Sequence, residues 1–243
     1  MDIQFYGAAR EVTGSCHVVH VDGRTIVLDC GLFQGRRADV SRKTSSLPAE
    51  VRAADAVILS HAHIDHAGRL PFLVREGYQG PIHVTAATRD LSGVMLADAA
   101  HIQEKDAEFL ARRNRAAVEP LYAQRDVART IELMQPQRYD ESFAVLPGIN
   151  ATFVDAGHIL GSASVILDVE NGRETRRLVF SGDIGRVGLP IIRDPNPPER
   201  ANVVIMESTY GNRDHAATTG GKEALARVIR ETAARGEIGR AHV

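Results

Sequence analysis

The sequence lacks the features that place a chain in or across a membrane. No segment approaches the roughly 18 consecutive apolar residues that a membrane-spanning helix needs. The first residues, Met1-Asp2-Ile3-Gln4, carry neither the basic region nor the long apolar stretch of a secretory signal. We therefore expect no membrane partner and a cytoplasmic location.

Strong net charge is also absent, since the formal charge is −2 at pH 7. Composition alone therefore gives no reason to expect nucleic acid as a partner, and such a contact would need a local basic patch. Tryptophan is missing too, so Phe, Tyr, Leu, Val and Ile must supply the core. With 243 residues, 44% hydrophobic and 25% charged, the chain can still bury a sizeable core as one large or two small globular domains.

Cysteine is scarce, with only Cys16 and Cys30. Each lies in an apolar, strand-like run, which favours two buried free thiols over a disulfide or a metal role. That interpretation suits a reducing compartment.

Short apolar or β-branched runs bounded by turn signals predict strands in both halves of the chain. Asp22-Gly23 predicts a hairpin turn, and the continuous apolar run 56–60 predicts a strand buried on both faces. Helices are expected at about 89–115, at 123–134 and at 222–235. The pattern predicts an α/β fold of two packed sheets covered by helices, with functional residues at the carboxyl ends of strands.

A histidine cluster follows the apolar run 56–60 directly. His61 and His63 alternate in an extended turn and can point toward one metal ion, while Asp65 and His66 enter a helix and can face a second. The alternative is a solvated histidine-rich loop, which the preceding buried strand disfavours.

A catalytic metal site needs further ligands from the rest of the chain. His158 and Asp183 each follow a predicted strand, with a glycine just before them that lets backbone pass close to a site. Either could be a polar turn residue if taken alone. Asp29 also leaves a strand, and we expect it to orient the histidine loop by hydrogen bonds, with a plain turn cap as the alternative.

Four motifs in this order resemble those of the metallo-β-lactamase superfamily: LDCG at 28–31, HAHIDH at 61–66, GHILGS at 157–162 and SGDIGR at 181–186. Two more stretches, GAAREVTGSCH at 7–17 and MESTYGNRDH at 206–215, resemble its β-CASP branch, which contains RNA-processing nucleases. The resemblance implies an αββα sandwich with a β-CASP domain inserted near its C-terminal side.

The resemblance also implies a two-zinc site and RNA as substrate. His61, His63 and His158 would bind one ion, Asp65 and His66 the other, and Asp183 would bridge them. Asp65 would orient the attacking water and take its proton. Glu207 would support a catalytic histidine further along. His and Asp ligands alone do not exclude iron or manganese.

The resemblance sets the expected domains. Residues 1–207 would form the metallo-β-lactamase-like domain and 208–236 the beginning of a β-CASP domain. Residues 237–243 back-translate into a sequence like a short-read adapter, so we expect them to be an artefact. The family's later histidines have no counterpart here, so we expect a weakened second metal site, little nuclease activity and exposed apolar surface.

Two other functions remain open at this point. A thioester or lactam hydrolase would use the same fold, and a non-catalytic RNA-processing scaffold subunit would bind no metal. Arginines could contact RNA phosphates or could simply be solvated: Arg36, Arg37, Arg112, Arg113 and Arg115. The sequence does not specify the RNA, endo- or exonucleolytic cleavage, or the oligomeric state.

Overall fold

The structure is a computed structural model that describes residues 1–35, 42–114, 119–171, 174–212, 214 and 220–239. The chain divides into two compact units, Met1–Glu207 and Ser208–Val243, each described by itself below. Residues 240–243 of the adapter-like segment lie outside the described part.

The first sheet of the larger unit has six strands in sequence order. They are β1 (Asp2–Gly7), β2 (Cys16–Val21), β3 (Arg24–Leu28), β4 (Ala56–Ile58), β5 (Ile82–Thr85) and β6 (Met134–Gln137). β1, β2 and β3 pair antiparallel, and β3 to β6 pair parallel. Asp22 and Gly23 join β2 to β3 with positive φ angles of 48° and 76°, the backbone that a two-residue hairpin turn requires.

The second sheet has five strands in the order β11-β10-β9-β8-β7. They are β7 (Ser142–Leu146), β8 (Ile149–Asp155), β9 (Ala163–Asn171), β10 (Glu174–Phe180) and β11 (Val203–Ile205). All neighbours pair antiparallel except β10 and β11, which run parallel. β8 and β10 therefore end on the same side of the sheet, which brings the loops after them together.

Five described helices belong to the larger unit: α1 (Ala49–Arg52), α2 (Ile64–Ala67), α3 (Leu70–Arg75), α4 (Ala86–Asn114) and α5 (Gln124–Leu133). The smaller unit contains α6 (Gly221–Ala234), whose apolar residues Leu225, Val228 and Ile229 are exposed. In the described ranges, no helix combines the length and the apolar character needed to cross a bilayer.

Successive apolar side chains along the strands of the first sheet point to opposite faces and therefore belong to two different cores. Val57 belongs to the core that this sheet shares with helices α3, α4 and α5. Its neighbour Ile58 belongs to the core between the sheets, with Phe153, Leu167 and Phe180 of the second sheet. The predicted α/β fold of two packed sheets is confirmed.

At two boundaries the structure changes the type of element that the sequence predicts. Strand β4 ends at Ile58, so Leu59 and Ser60 already belong to the loop that carries the histidines. The helix predicted to reach residue 134 ends at Leu133, and Met134 begins β6, an edge strand that the sequence pattern did not reveal. MQPQ carries little apolar alternation, and Pro136 is tolerated because an edge strand pairs on one side only.

Both cysteines are free and fully buried, as predicted. Their thiols interact, and this hydrogen bond raises the pKa of Cys16 and lowers that of Cys30. Neither thiol belongs to the group of residues that could hold a metal ion.

Candidate metal centre

The residues singled out by the sequence lie just past the ends of strands. Asp29 follows β3, and the histidine motif begins three residues after β4, in the first sheet. His158 follows β8 and Asp183 follows β10, in the second sheet. Loops from both sheets therefore meet at one edge of the sandwich.

Four side chains converge there: His61, His63, His158 and Asp183. One ligand atom from each lies within 4.8 Å of all the others, and within the described residues this is the group of His, Cys, Asp and Glu that could hold a metal ion. His63 Nδ1 is 3.0 Å from His61 Nε2 and 3.1 Å from His158 Nε2. Asp183 Oδ2 is 3.8 Å from His61 Nε2 and 3.5 Å from His158 Nε2.

Asp183 also faces a second group of side chains. Its other oxygen, Oδ1, is 3.2 Å from His66 Nε2. Asp65 Oδ2 lies 3.9 Å from the same His66 nitrogen. Asp183 therefore directs Oδ2 toward His61 and His158 and Oδ1 toward His66.

Asp29 is fully buried and accepts four hydrogen bonds. Ser60 donates twice, from its backbone N–H to Oδ1 at 2.8 Å and from its hydroxyl to Oδ2 at 3.0 Å. The Ser15 hydroxyl donates to Oδ2 at 3.1 Å, and His66 Nδ1 lies 2.7 Å from that oxygen. Asp29 thus contacts the His66 ring directly, and the orienting role predicted for it stays a prediction.

Local backbone geometry makes this contact possible. Asp29 has a φ of 58°, in the left-handed region that most side chains avoid and Asp tolerates better than most. Its N–H donates to the carbonyl of Ile58, and the N–H of Cys30 donates to the carbonyl of His66. The chain turns sharply at Asp29, which leaves its carboxylate beneath the histidine loop.

Burial and neighbouring charges set the protonation of the cluster. Burial, followed by the charge of His66, lowers the pKa of His61 well below its usual range. Burial and His158 lower the pKa of His63. Burial alone would lower the pKa of His66 as well, but Asp29 and Asp183 together raise it to about 10. Burial would raise the pKa of Asp183, but its hydrogen bond to His66 and the charge of that ring hold it well below its usual range.

The donor set fits a metal ion. His63 Nδ1 lies about 3 Å from both His61 Nε2 and His158 Nε2, so three imidazole nitrogens face one position. With the proton of each ring on its other nitrogen, the three lone pairs can coordinate a cation there. The lowered pKa values of His61 and His63 keep their rings neutral, as metal ligation requires.

The loops that carry the candidate ligands cross at glycines, where two backbones come into direct contact. A Cβ on Gly185 would lie 1.6 Å from the carbonyl oxygen of Gly157, just before His158. A Cβ on Gly31 would lie 1.6 Å from the carbonyl oxygen of Asp65. These glycines let the Asp183 loop cross the His158 loop and let the Asp29 loop cross the histidine motif.

Hydroxyl groups brace the His158 loop from two directions. The N–H groups of His158 and Ile159 both donate to Ser162 Oγ, at 3.0 and 3.2 Å. Thr85 and Thr88, at the end of β5 and the start of α4, donate their hydroxyls to the carbonyl of Gly161 at 2.7 and 2.8 Å. Sequence reasoning missed these threonines, because nothing in the pattern links them to residues more than 70 positions away.

Glu207 reaches the site through backbone. Its Oε1 accepts a hydrogen bond of 2.5 Å from the N–H of Ile184, the residue after Asp183. Its own N–H donates to Ser181 Oγ at 3.2 Å. Glu207 therefore fastens the loop that carries Asp183, and its predicted support of a catalytic histidine stays a prediction.

Two of the five arginines considered as phosphate contacts lie in the described part of the chain. Arg112 and Arg113 are exposed near the end of α4, and Arg112 pairs loosely with Glu108 at 3.9 Å. Arg36, Arg37 and Arg115 lie outside the described residues.

The sequence was compared with known protein families. Residues 9–222 match the family described as the metallo-beta-lactamase superfamily. The chain belongs to this superfamily. The predicted resemblance to it and to its RNA-processing β-CASP branch is confirmed.

The chain is also similar to individual proteins. The chain is 39% identical to a ribonuclease of Thermus thermophilus, over 88% of this chain and 45% of the relative. It is 33% identical to transcription termination factor FttA of Methanosarcina mazei, over 96% of this chain and 35% of the relative. The solved Rm3 metallo-beta-lactamase is 18% identical, with a TM-score of 0.42, over 73% of this chain and 60% of that one. The chain spans less than half the length of either curated relative.

Proposed function

We propose that this superfamily member is the metal-binding part of a hydrolase that cleaves RNA phosphodiester bonds. One observation carries the proposal. Three histidines and a carboxylate from both sheets converge on one point, and the second oxygen of Asp183 faces His66 on the other side. Two adjacent metal positions sharing a carboxylate are typical of enzymes that hydrolyse phosphate esters.

The proposed ligands divide between two zinc ions. His61, His63 and His158 would hold the first ion, Asp65 and His66 the second, and Asp183 would bridge them. Imidazole with carboxylate suits zinc, although iron and manganese accept the same donors. The pKa of His66, raised to about 10 by Asp29 and Asp183, means that metal at the second position must displace a proton.

Bound metal ions would supply an acidified water and offset negative charge on the phosphoryl oxygens. The chain's own part is to orient that water and accept its proton, and we assign this to Asp65. Its side chain is about one-fifth exposed, and Oδ2 lies 3.9 Å from His66 Nε2, at the edge of the cluster. It can therefore reach both the site and a substrate arriving from solvent.

RNA as the substrate is supported by the relatives' names. The Thermus thermophilus relative is called a ribonuclease, and a Methanocaldococcus jannaschii relative, 30% identical, is called a probable RNase.

We also propose that 208–236 begins a β-CASP domain and that the protein acts in the cytoplasm.

The test combines metal content with substrate choice. The chain is stripped of metal, titrated with zinc, and assayed against end-labelled RNA, a chromogenic lactam and a thioester. We expect zinc-dependent RNA cleavage, slow in this chain, and an Asp65→Asn variant reduced by about 10²-fold or more, the usual effect of removing a general base.

Two results would contradict the proposal. Hydrolysis of the lactam or thioester in preference to RNA would place the chain among other hydrolases of the fold. A chain that binds no zinc would support the scaffold alternative.

A further inference from the structure

Ser60 occupies the junction between the two groups of ligands. Its Oγ lies 3.0 Å from His61 Nδ1 and donates to Asp29 Oδ2 at 3.0 Å. Ser60 is only 1% exposed, so its hydroxyl has little access to solvent. A Cβ on Gly182 would approach Ser60 Cβ to 2.8 Å, so the loop that carries Asp183 packs directly against it.

The protons in this set of contacts have one consistent arrangement. His61 Nε2 faces the cluster, 3.0 Å from His63 Nδ1 and 3.8 Å from Asp183 Oδ2. A neutral imidazole that offers Nε2 to a metal carries its proton on Nδ1. That N–H donates to Ser60 Oγ, which leaves the hydroxyl proton for Asp29, a carboxylate that can only accept.

The same oxygen of Asp29 serves the other group of ligands. His66 Nδ1 lies 2.7 Å from Asp29 Oδ2, and His66 Nε2 faces Asp183 Oδ1 at 3.2 Å. His61 and His66 face opposite oxygens of Asp183. Asp29 therefore contacts His66 directly and is connected to His61 through the Ser60 hydroxyl.

We propose that Ser60 is a positioning residue that connects Asp29 to His61. It fixes the His61 ring with its proton on Nδ1 and aims Nε2 at the metal position shared with His63 and His158. Hydrogen bonds of this kind orient the ring and make the ligand nitrogen more basic. The inference rests on the proposed function only in requiring that this position binds a metal ion.

Ser15 offers a matched control. Its hydroxyl donates to the same Asp29 oxygen at 3.1 Å, and Ser15 is also buried, at 3% exposed. Its other side-chain contact is with His17 Nε2 at 3.4 Å, not with a proposed ligand. Ser15→Ala therefore removes one hydrogen bond from Asp29 and leaves the contact between Ser60 and His61 in place.

The experiment measures zinc affinity in the parental chain, Ser60→Ala and Ser15→Ala, by competition with a chromophoric chelator. We expect Ser60→Ala to weaken the first-bound zinc by about 10- to 100-fold and Ser15→Ala to stay within about threefold of the parental value. Equal effects of the two variants, or an unchanged affinity in Ser60→Ala, would overturn the proposal.

A second measurement needs no variant and covers the case in which Ser60→Ala fails to fold. Nitrogen-15 NMR of the histidine rings in the zinc-loaded parental chain should show His61 protonated at Nδ1, with slow solvent exchange. A proton on Nε2 would overturn the proposal.

The outcomes also separate this proposal from the proposed function. A parental chain that binds no zinc overturns both. A Ser60→Ala defect in zinc affinity without any RNA cleavage by the parental chain supports the role of Ser60 and contradicts the proposed substrate.

Discussion

The crossing at Gly185 gives the sharpest test of how the site is assembled. A Cβ at Gly185 would lie 1.6 Å from the carbonyl oxygen of Gly157, whereas real Cβ atoms essentially never approach closer than 3.0 Å. In Gly185→Ala the two loops must therefore separate by at least about 1.4 Å, the difference of these distances. The hydrogen bond of 2.8 Å from Gly185 N–H to the carbonyl of Ala156 lies in the same crossing and would be lost.

The separation acts directly on the ligands. His158 follows Gly157 and Asp183 precedes Gly185 by two residues, and their ligand atoms are 3.5 Å apart. A misplacement of about 1 Å at a reacting centre can cost about 10²-fold in rate. We expect Gly185→Ala to lower zinc affinity at least about tenfold and hydrolysis about 10²-fold. The unfolding free energy should fall by about 1–3 kcal/mol, as overpacking usually costs.

The assay pairs zinc competition with thermal unfolding, and the control is Gly188→Ala. Gly188 lies three residues further along, with a φ of 79°, and a Cβ added there would meet no atom of the described residues within 4 Å. Its substitution strains the backbone without forcing loops apart, so stability should fall while zinc affinity is kept. Parental zinc affinity in Gly185→Ala would refute the argument that this crossing positions the ligands.

Four further outcomes are expected. Asp29→Ala removes the acceptor of four buried hydrogen bonds and should lower stability by about 3–5 kcal/mol and zinc affinity by about 10- to 100-fold; a stable variant with normal metal content would contradict its assigned role. Glu207→Gln keeps an oxygen for the N–H of Ile184 and should change the free energy of unfolding little, whereas Glu207→Ala should lower it by about 1–3 kcal/mol. Both values come from chemical denaturation. Equal losses of stability in the two variants would show that the charge of Glu207 matters more than this hydrogen bond. Gly93→Ala in α4, where an added Cβ meets nothing within 4 Å among the described residues, should raise stability by about 0.5–1 kcal/mol. A decrease in stability would contradict the open space at this position. Free zinc at about 1,000 times its dissociation constant should stabilise the fold by about 4 kcal/mol over the chelated protein, seen as a higher melting temperature, and no shift would argue against a site formed only in the native state.

Much of the site could be predicted because its side chains have few other roles. Three histidines and an aspartate within six positions after a buried strand have no common structural explanation, and His158 and Asp183 follow strands in the same way. The alternation of Val57 and Ile58 likewise carries enough information to place β4 between two cores. Edge strand β6 was missed because it pairs on one side and needs little apolar patterning.

The supporting residues were harder to predict for a physical reason. Ser60, Thr85 and Thr88 act through hydroxyl groups whose partners lie up to 76 positions away along the chain. A serine or threonine is common at any strand end, and only the folded arrangement shows which carbonyl or carboxylate it meets. The crossings at Gly31 and Gly185 are hidden for the same reason, because a glycine in a loop suggests a turn before it suggests a close approach.

The supply of ligands by both sheets has a consequence for the order of folding. His63 and His158 are 95 positions apart, yet their nitrogens are 3.1 Å from each other. Such a contact cannot be held by a local segment, because closing a loop of that length carries an entropic cost that only the packed sandwich offsets. The metal position should therefore come into existence late, after the two sheets have docked. A signal from zinc binding, recorded during refolding, would therefore report when the two sheets dock. The ion would then cross-link two sheets that have already formed.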